Sequence, residues 1–84
     1  MIWYVYMLRC SDNSLYTGST TDLKRRESMH NSGKGAKYTK SRLPVRMVYS
    51  EPCEDKSQAL KRECALKRLT KVQKEMLISG KEAT

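Results

Sequence analysis

The chain has 84 residues, 38% of them hydrophobic, and 17 Lys and Arg against 9 Asp and Glu give a formal charge of +8. That length predicts one domain over residues 1–84, because two cores would each lack apolar surface; a chain this small buries only about 60–65% of the area its unfolded form exposes. No apolar run approaches the roughly 18 residues a membrane span needs, and the basic excess fits a polyanion partner as well as it fits an ordinary solvated surface.

The first ten residues, MIWYVYMLRC, are apolar, but they lack a preceding basic region and a small-residue cleavage site. They read as a strand over residues 2–9 rather than a secretory signal. CSDNS then makes a turn and LYTGS a second strand, so the N-terminus is predicted to be a β-hairpin. A loop of Ser11, Asp12 and Asn13 would pair Cys10 with Ser14 and set Tyr6 opposite Gly18, leaving Tyr6 and Tyr16 as diagonal neighbours on one face. A two-residue loop would put the tyrosines on opposite faces.

The segment TTDLKRRESMHNSG carries Thr and Asp as N-cap candidates and Asn-Ser-Gly as a stop, which predicts a helix of about two to three turns. At about 100° per residue, Arg26 and His30 fall close to Leu23, whereas Lys24 and Arg25 point elsewhere. An arginine and the only histidine therefore share the inward face, with Glu27 near it as a weaker carboxylate candidate. The following SGKGAKYTKSRLP is too polar for core and holds at most a helical turn near residues 36–40. A third strand is predicted over residues 44–50 and a loop at EPCED, then helices near 56–69 and 71–78, each opened by a capping-box pattern, Asp55 with Gln58 and Thr70 with Gln73. The compact region spans about residues 2–78, and residues 79–84 read as a tail.

In the helix near 56–69, taking Leu60 as zero, Ala59 falls at about −100°, Leu66 at about −120° and Glu63 at about −60°. A carboxylate thus sits within the apolar arc. An inward Arg26 and an inward Glu63 on different helices either form a structural ion pair or line a cleft, where a divalent metal on Glu63 and the Arg26 guanidinium would converge on a phosphodiester. Tyr6 and Tyr16 are either amphipathic strand residues or hydroxyls that orient water or phosphate. Gly18 reads as a strand end or a bulge. The three cysteines, Cys10, Cys53 and Cys64, are odd in number and lack C-x-x-C spacing. They fit neither a disulfide framework nor a zinc knuckle, and they point to the reducing cytoplasm.

Tyr4-Val5-Tyr6, Tyr16-Thr17-Gly18, Arg26, His30 and Glu63, in that order and spacing, resemble the GIY-YIG endonuclease superfamily, most closely its small stand-alone bacterial members. The resemblance runs over about residues 3–77; it lacks the first glycine of the signature and has threonine where isoleucine is typical. It implies an α/β fold of the α+β type, a small three-stranded antiparallel sheet flanked by helices. It also implies hydrolysis of phosphodiester bonds with Mg²⁺, for which Mn²⁺ would substitute, held by Glu63. Tyr16 would activate or position water, Arg26 would stabilise the developing charge, Tyr6 and His30 would support the site, and Tyr38 would take a further active-site position.

Lys24, Arg25, Lys34, Lys37, Lys40 and Arg42 flank the proposed cleft in sequence as backbone-phosphate ligands. The expected partner is nucleic acid, DNA above RNA, in branched, nicked or flapped repair intermediates. The expected state is a monomer or weak homodimer with no membrane association. The alternatives are a fold-conserving nucleic-acid-binding protein with little activity and a basic module that docks a repair protein.

Overall fold

The computed structural model describes residues 1–80; the end of the predicted tail, residues 81–84, lies outside the described residues. The order is β1 (Trp3–Arg9), β2 (Leu15–Thr20), α1 (Leu23–Asn31), α2 (Lys37–Lys40), β3 (Arg46–Cys53), α3 (Lys56–Lys67) and α4 (Lys71–Ser79). The strands form one antiparallel sheet in the order β2-β1-β3. Among the described residues no helix is long and apolar enough to cross a membrane.

β1 is the central strand, and Val5, Tyr6, Met7 and Leu8 in it are all buried, which is why its sequence reads as a continuous apolar run instead of an alternation. Its residues feed two clusters. Tyr6 and Leu8 pack with Cys10 and Val45, joined by Tyr16, Leu23, Leu43 and Met47. Val5 packs with Ala59 and Leu66 of α3, joined by Trp3, Tyr49, Cys53, Leu69 and Leu77. Burying a side chain such as Leu66 or Val5 contributes about 1.5–3 kcal/mol each, so α3 is held chiefly by a small number of apolar side chains.

The hairpin has the predicted three-residue loop. The Cys10 amide donates to the Ser14 carbonyl at 2.9 Å, and Asn13 takes the left-handed conformation (φ 68°) that closes the turn. Tyr6 therefore stands opposite Gly18. Asp12 reinforces the loop by accepting from the Ser14 amide at 3.0 Å and hydroxyl at 2.5 Å.

Three expectations need correction. β3 does not end at residue 50; it runs to Cys53 through Pro52, which an edge strand tolerates because its outer amides have no ladder partner. A register shift between Met7 and Leu8 passes over Val48. On α3, Leu60 is not on the buried face; it is 49% exposed, while Ala59 and Leu66 are fully buried. The apolar arc is thus centred about 100° from Leu60. Finally, Asp55 caps α3 by accepting from the Gln58 amide, but the Gln58 side chain reaches Glu54 instead of closing the box. Thr70 and Gln73 form the full reciprocal box on α4.

Polar side chains dock the helices. On α1 the Asn31 amide group pairs both ways with the Val45 backbone, donating to its carbonyl at 2.8 Å and accepting from its N–H at 2.7 Å. Glu27 accepts from the Met47 amide at 2.5 Å, so its carboxylate serves the α1–β3 junction. Arg9 at the end of β1 grips Glu75 of α4 with two parallel bonds, 2.7 and 2.5 Å.

Candidate active site

The site grows from the β1–β2 register. Gly18 leaves the space into which the Tyr6 ring fits: a Cβ at residue 18 would lie 2.6 Å from the Tyr6 hydroxyl and 3.2 Å from Cε2 of Tyr16. The glycine is therefore required by close approach and sits inside β2, neither ending the strand nor making a bulge. The rings of Tyr6 and Tyr16 lie 6.4 Å apart between centroids.

α1 opens at Asp22, whose carboxylate accepts from the Arg25 amide at 3.1 Å. This start fixes the helix phase so that His30 is buried, Arg26 is half-buried, and Lys24 and Arg25 are exposed. His30 stands against both tyrosines, its ring 6.2 Å from Tyr6 and 5.2 Å from Tyr16. Its Nε2 is 3.1 Å from the Tyr6 hydroxyl and its Nδ1 is 2.7 Å from Oγ1 of Thr39. Tyr38 of α2 stacks on Tyr16 at 6.1 Å and 26°. Four aromatic rings from β1, β2, α1 and α2 thus form one continuous wall.

Arg26 and Glu63 bear on the same point. Burial pushes the Tyr6 hydroxyl well above its ordinary pKa, Tyr16 and Glu63 add to that rise, and Arg26 opposes it. The cation and the carboxylate therefore sit within electrostatic reach of one hydroxyl from different elements. Burial, with Arg26 beside it, holds His30 below its ordinary value of 6.5, so the ring is neutral at pH 7 and can accept a proton. Glu63 has Lys67, one turn along α3, as its ion-pair partner at 2.8 Å, with the carboxylate side chain only 16% exposed. Hydrogen bonding to Glu63 raises the Lys67 ammonium, and the nearby Tyr16 hydroxyl adds to the effect.

The basic residues divide. Arg25 and Arg26 line one shallow cleft with Thr20, Asp22 and Met29. Lys37, Lys40 and Arg42 line another with Tyr38, and Lys24 and Lys34 are exposed. Arg42 is engaged within the protein. Its guanidinium lies 3.9 Å over the Tyr38 ring, pairs with Asp12 at 3.0 Å and donates to the Tyr38 carbonyl at 2.8 Å. Among the described residues no group of three or more His, Cys, Asp or Glu side chains converges as a metal site; Glu63 is the carboxylate that acts on the Tyr6 hydroxyl.

Thr39 and Lys67 do not stand out in the sequence, and Gly35 does so only beside Lys34, where the phosphate-loop pattern is absent. Thr39 is fully buried against His30, although its segment reads as too polar for core. A Cβ at Gly35 would stand 2.2 Å from Nδ1 of His30. The available signals were slight: Lys67 follows Glu63 at i+4, and Thr39 follows Ala36 at the spacing at which a hydroxyl bonds the carbonyl three residues back.

Comparison with known proteins places the chain in a family. The model of the GIY-YIG catalytic domain matches residues 2–76. A UPF0213 protein of Desulfotalea psychrophila is 51% identical over 81 residues, covering 95% of this chain and 74% of that protein. Another, from Clostridium perfringens, is 54% identical over 78 residues, covering 93% and 84%. The solution NMR structure of a UPF0213 protein from Bacillus halodurans matches with a TM-score of 0.61 at 47% identity, over 99% of this chain and 88% of that one. An NMR structure from E. faecalis matches with a TM-score of 0.63 at 45% identity, over 95% and 85%. On the family model the chain belongs to the GIY-YIG family, and its relatives set it beside the small bacterial UPF0213 proteins.

Proposed function

We propose that the chain is a metal-dependent endonuclease that hydrolyses phosphodiester bonds in DNA, acting on branched, nicked or flapped duplexes. The observation that carries this reading is the surroundings of Tyr6. One buried hydroxyl holds His30, adjoins Tyr16 and is felt by both Arg26 and Glu63.

Tyr16 is half-exposed and is the hydroxyl that positions the attacking water, with Tyr6 and His30 behind it to receive and hold protons. Arg26 presents planar donors to the phosphate oxygens and stabilises the charge that builds on them. Tyr38 walls the site beside Tyr16. Glu63 suits Mg²⁺, which takes one or two carboxylates, keeps several waters and completes its shell with substrate phosphate; when bound there, it would supply Lewis acidity at the phosphoryl group. Mn²⁺ would substitute. Lys67 fills the carboxylate's cation requirement otherwise, so a metal ion competes with this lysine for Glu63. Lys24, Arg25, Lys34, Lys37 and Lys40 supply exposed charge for the phosphate backbone.

Labelled duplex, nicked, flapped, branched and single-stranded substrates, with DNA and RNA versions, incubated with Mg²⁺, Mn²⁺ or EDTA test the reading directly. Wild type should cut at least one structure with either metal and none with EDTA. Glu63→Gln, which keeps the shape and removes the charge a hard cation needs, should lose nearly all cleavage while remaining folded in a thermal melt. A Glu63→Gln protein that cuts as fast as wild type would remove this carboxylate from the chemistry, and a wild type inert on every substrate would leave only nucleic-acid binding.

A further inference from the structure

Behind Tyr16 runs a buried chain of polar atoms. The Tyr6 hydroxyl is 3.1 Å from Nε2 of His30, Nδ1 of His30 is 2.7 Å from Oγ1 of Thr39, and Oγ1 of Thr39 is 2.9 Å from the Ala36 carbonyl oxygen. Tyr6 and His30 are each 2% exposed and Thr39 is not exposed at all. These atoms cannot exchange partners with water, so their hydrogens must satisfy one another.

The directions follow from counting hydrogens. A carbonyl has none to give, so across the 2.9 Å contact the Thr39 hydroxyl is the donor to Ala36, a carbonyl that also accepts from the Lys40 amide at 3.1 Å, and that spends the hydroxyl's single hydrogen. Thr39 can then only accept from His30, which places a proton on Nδ1. A neutral imidazole carries one N–H, so Nε2 is left with its lone pair and Tyr6 must be the donor to it. Burial and the charge of Arg26 both favour the neutral ring. Gly35 bears on the ring from close by: a Cβ there would fall 2.2 Å from Nδ1 and 2.6 Å from Cγ, so the imidazole lies close against the backbone at this position.

We propose that Thr39 is a positioning residue that locks His30 in its Nδ1–H tautomer, making Nε2 a standing acceptor for the Tyr6 hydroxyl proton. With that hydrogen drawn toward His30, the Tyr6 oxygen offers only lone pairs on its other sides, where Tyr16 adjoins it. Tyr6 can therefore take a proton from Tyr16 as it passes its own to Nε2, which leaves His30 as an imidazolium holding one N–H on each ring nitrogen. Without the lock, the Nε2–H form would turn the Tyr6 hydrogen outward and repel that proton. The charged and titratable groups facing this chain come from every neighbouring element: Tyr16 on β2, Arg26 on α1 and Glu63 on α3.

The tautomer is a property of the chain itself, whereas its use in hydrolysis rests on the nuclease reading, and the two can be tested apart. His30 is the only histidine, so a long-range ¹H–¹⁵N spectrum of the ¹⁵N-labelled full chain at neutral pH contains one imidazole. Wild type should show a protonated Nδ1 and a bare Nε2. Thr39→Ser, which keeps the hydroxyl, should show the same, and Thr39→Val should shift the population to Nε2–H. A wild-type ring with Nε2–H, or a Thr39→Val ring still locked as Nδ1–H, would overturn the proposal. Because the wild-type spectrum suffices to overturn it, the proposal stays testable even if Thr39→Val folds poorly.

In cleavage assays Thr39→Val should lower kcat on the order of 10- to 100-fold with KM unchanged, as expected for a group that aids proton transfer, and Thr39→Ser should restore most of it. A wrong tautomer in an active enzyme would sink the lock alone, and the expected tautomer in an inert protein would sink the nuclease reading alone.

Discussion

Gly18 and His30 each turn a steric or electrostatic detail into a measurable effect. A methyl at residue 18 would enter the space of the Tyr6 hydroxyl, 2.6 Å away, and Tyr6 is buried within the central strand with little room to retreat. Gly18→Ala should therefore destabilise the fold by about 1–3 kcal/mol, the usual cost of overpacking, in a denaturant titration. It should also break the Tyr6–His30 hydrogen bond. Unchanged stability would mean that Tyr6 relaxes freely. His30 predicts a pH effect whose sign follows from its lowered pKa. The unfolded chain takes up this proton first, so stability is complete above the ordinary value of 6.5 and falls as pH drops from there toward the lower folded value. Asp12, held low by Ser14, and Glu75, held low by Arg9, lose their contributions only at lower pH, below their ordinary values of 3.8 and 4.5. Between pH 6.5 and about 5 the slope should thus belong to His30, and His30→Gln should flatten it. An equally steep slope in that variant would assign the effect elsewhere.

α1 is pinned to β3 and to Val45 just before it by side chains whose partners are backbone groups, a feature that helix periodicity does not reveal. Asn31→Ala would leave both the N–H and the carbonyl of Val45 without their partners, and should cost about 1–3 kcal/mol for buried groups left unsatisfied. A thermal melt indistinguishable from wild type would show that water replaces the amide. α3 makes a different prediction. Because Lys67 occupies the Glu63 carboxylate at 2.8 Å, Lys67→Met should strengthen Mn²⁺ binding in a calorimetric titration without substrate, and Glu63→Gln should abolish it in either background. A weaker Mn²⁺ affinity in Lys67→Met would mean that the lysine supports the ion instead of competing with it. The same elements differ in how legible they are in the sequence. The hairpin register could be read because loop length and alternation both point to Tyr6 opposite Gly18. The end of β3 could not, because Pro52 signals a loop unless the strand is known to be at an edge. The buried face of α3 was misjudged because only Ala59 and Leu66 define it, and two residues fix a helical phase poorly. Tyr6, Tyr16, His30 and Tyr38 were each singled out in the sequence, and the structure brings their rings together. Thr39 and the role of Gly35 escaped because their importance lies wholly in a ring of α1 that packs against them.

Across the whole molecule, a formal charge of +8 on 84 residues makes the long-range field the first thing a nucleic acid meets. If the lysines bind backbone phosphates, log affinity for duplex DNA should fall linearly with log salt at a slope of about −0.9 per phosphate neutralised. Not every basic residue should contribute. Lys37 and Lys40 are exposed beside Tyr38, so replacing either by Gln should lessen the slope by about 0.9 for each phosphate no longer neutralised. Arg42 lines the same depression but is bound to Asp12 and stacked on Tyr38; Arg42→Gln should leave the slope nearly unchanged, even if it loosens Tyr38. Glu63→Gln, measured without metal, should bind as well as wild type or better, since it removes a negative charge from the side of the phosphate. The contrast among these variants is what identifies the binding face, because a uniform field would make Lys37, Lys40 and Arg42 equivalent. A flat salt dependence would remove the electrostatic account altogether. Equal slopes for Lys40→Gln and Arg42→Gln would show that the ion pair with Asp12 opens on binding and that Arg42 belongs to the interface after all.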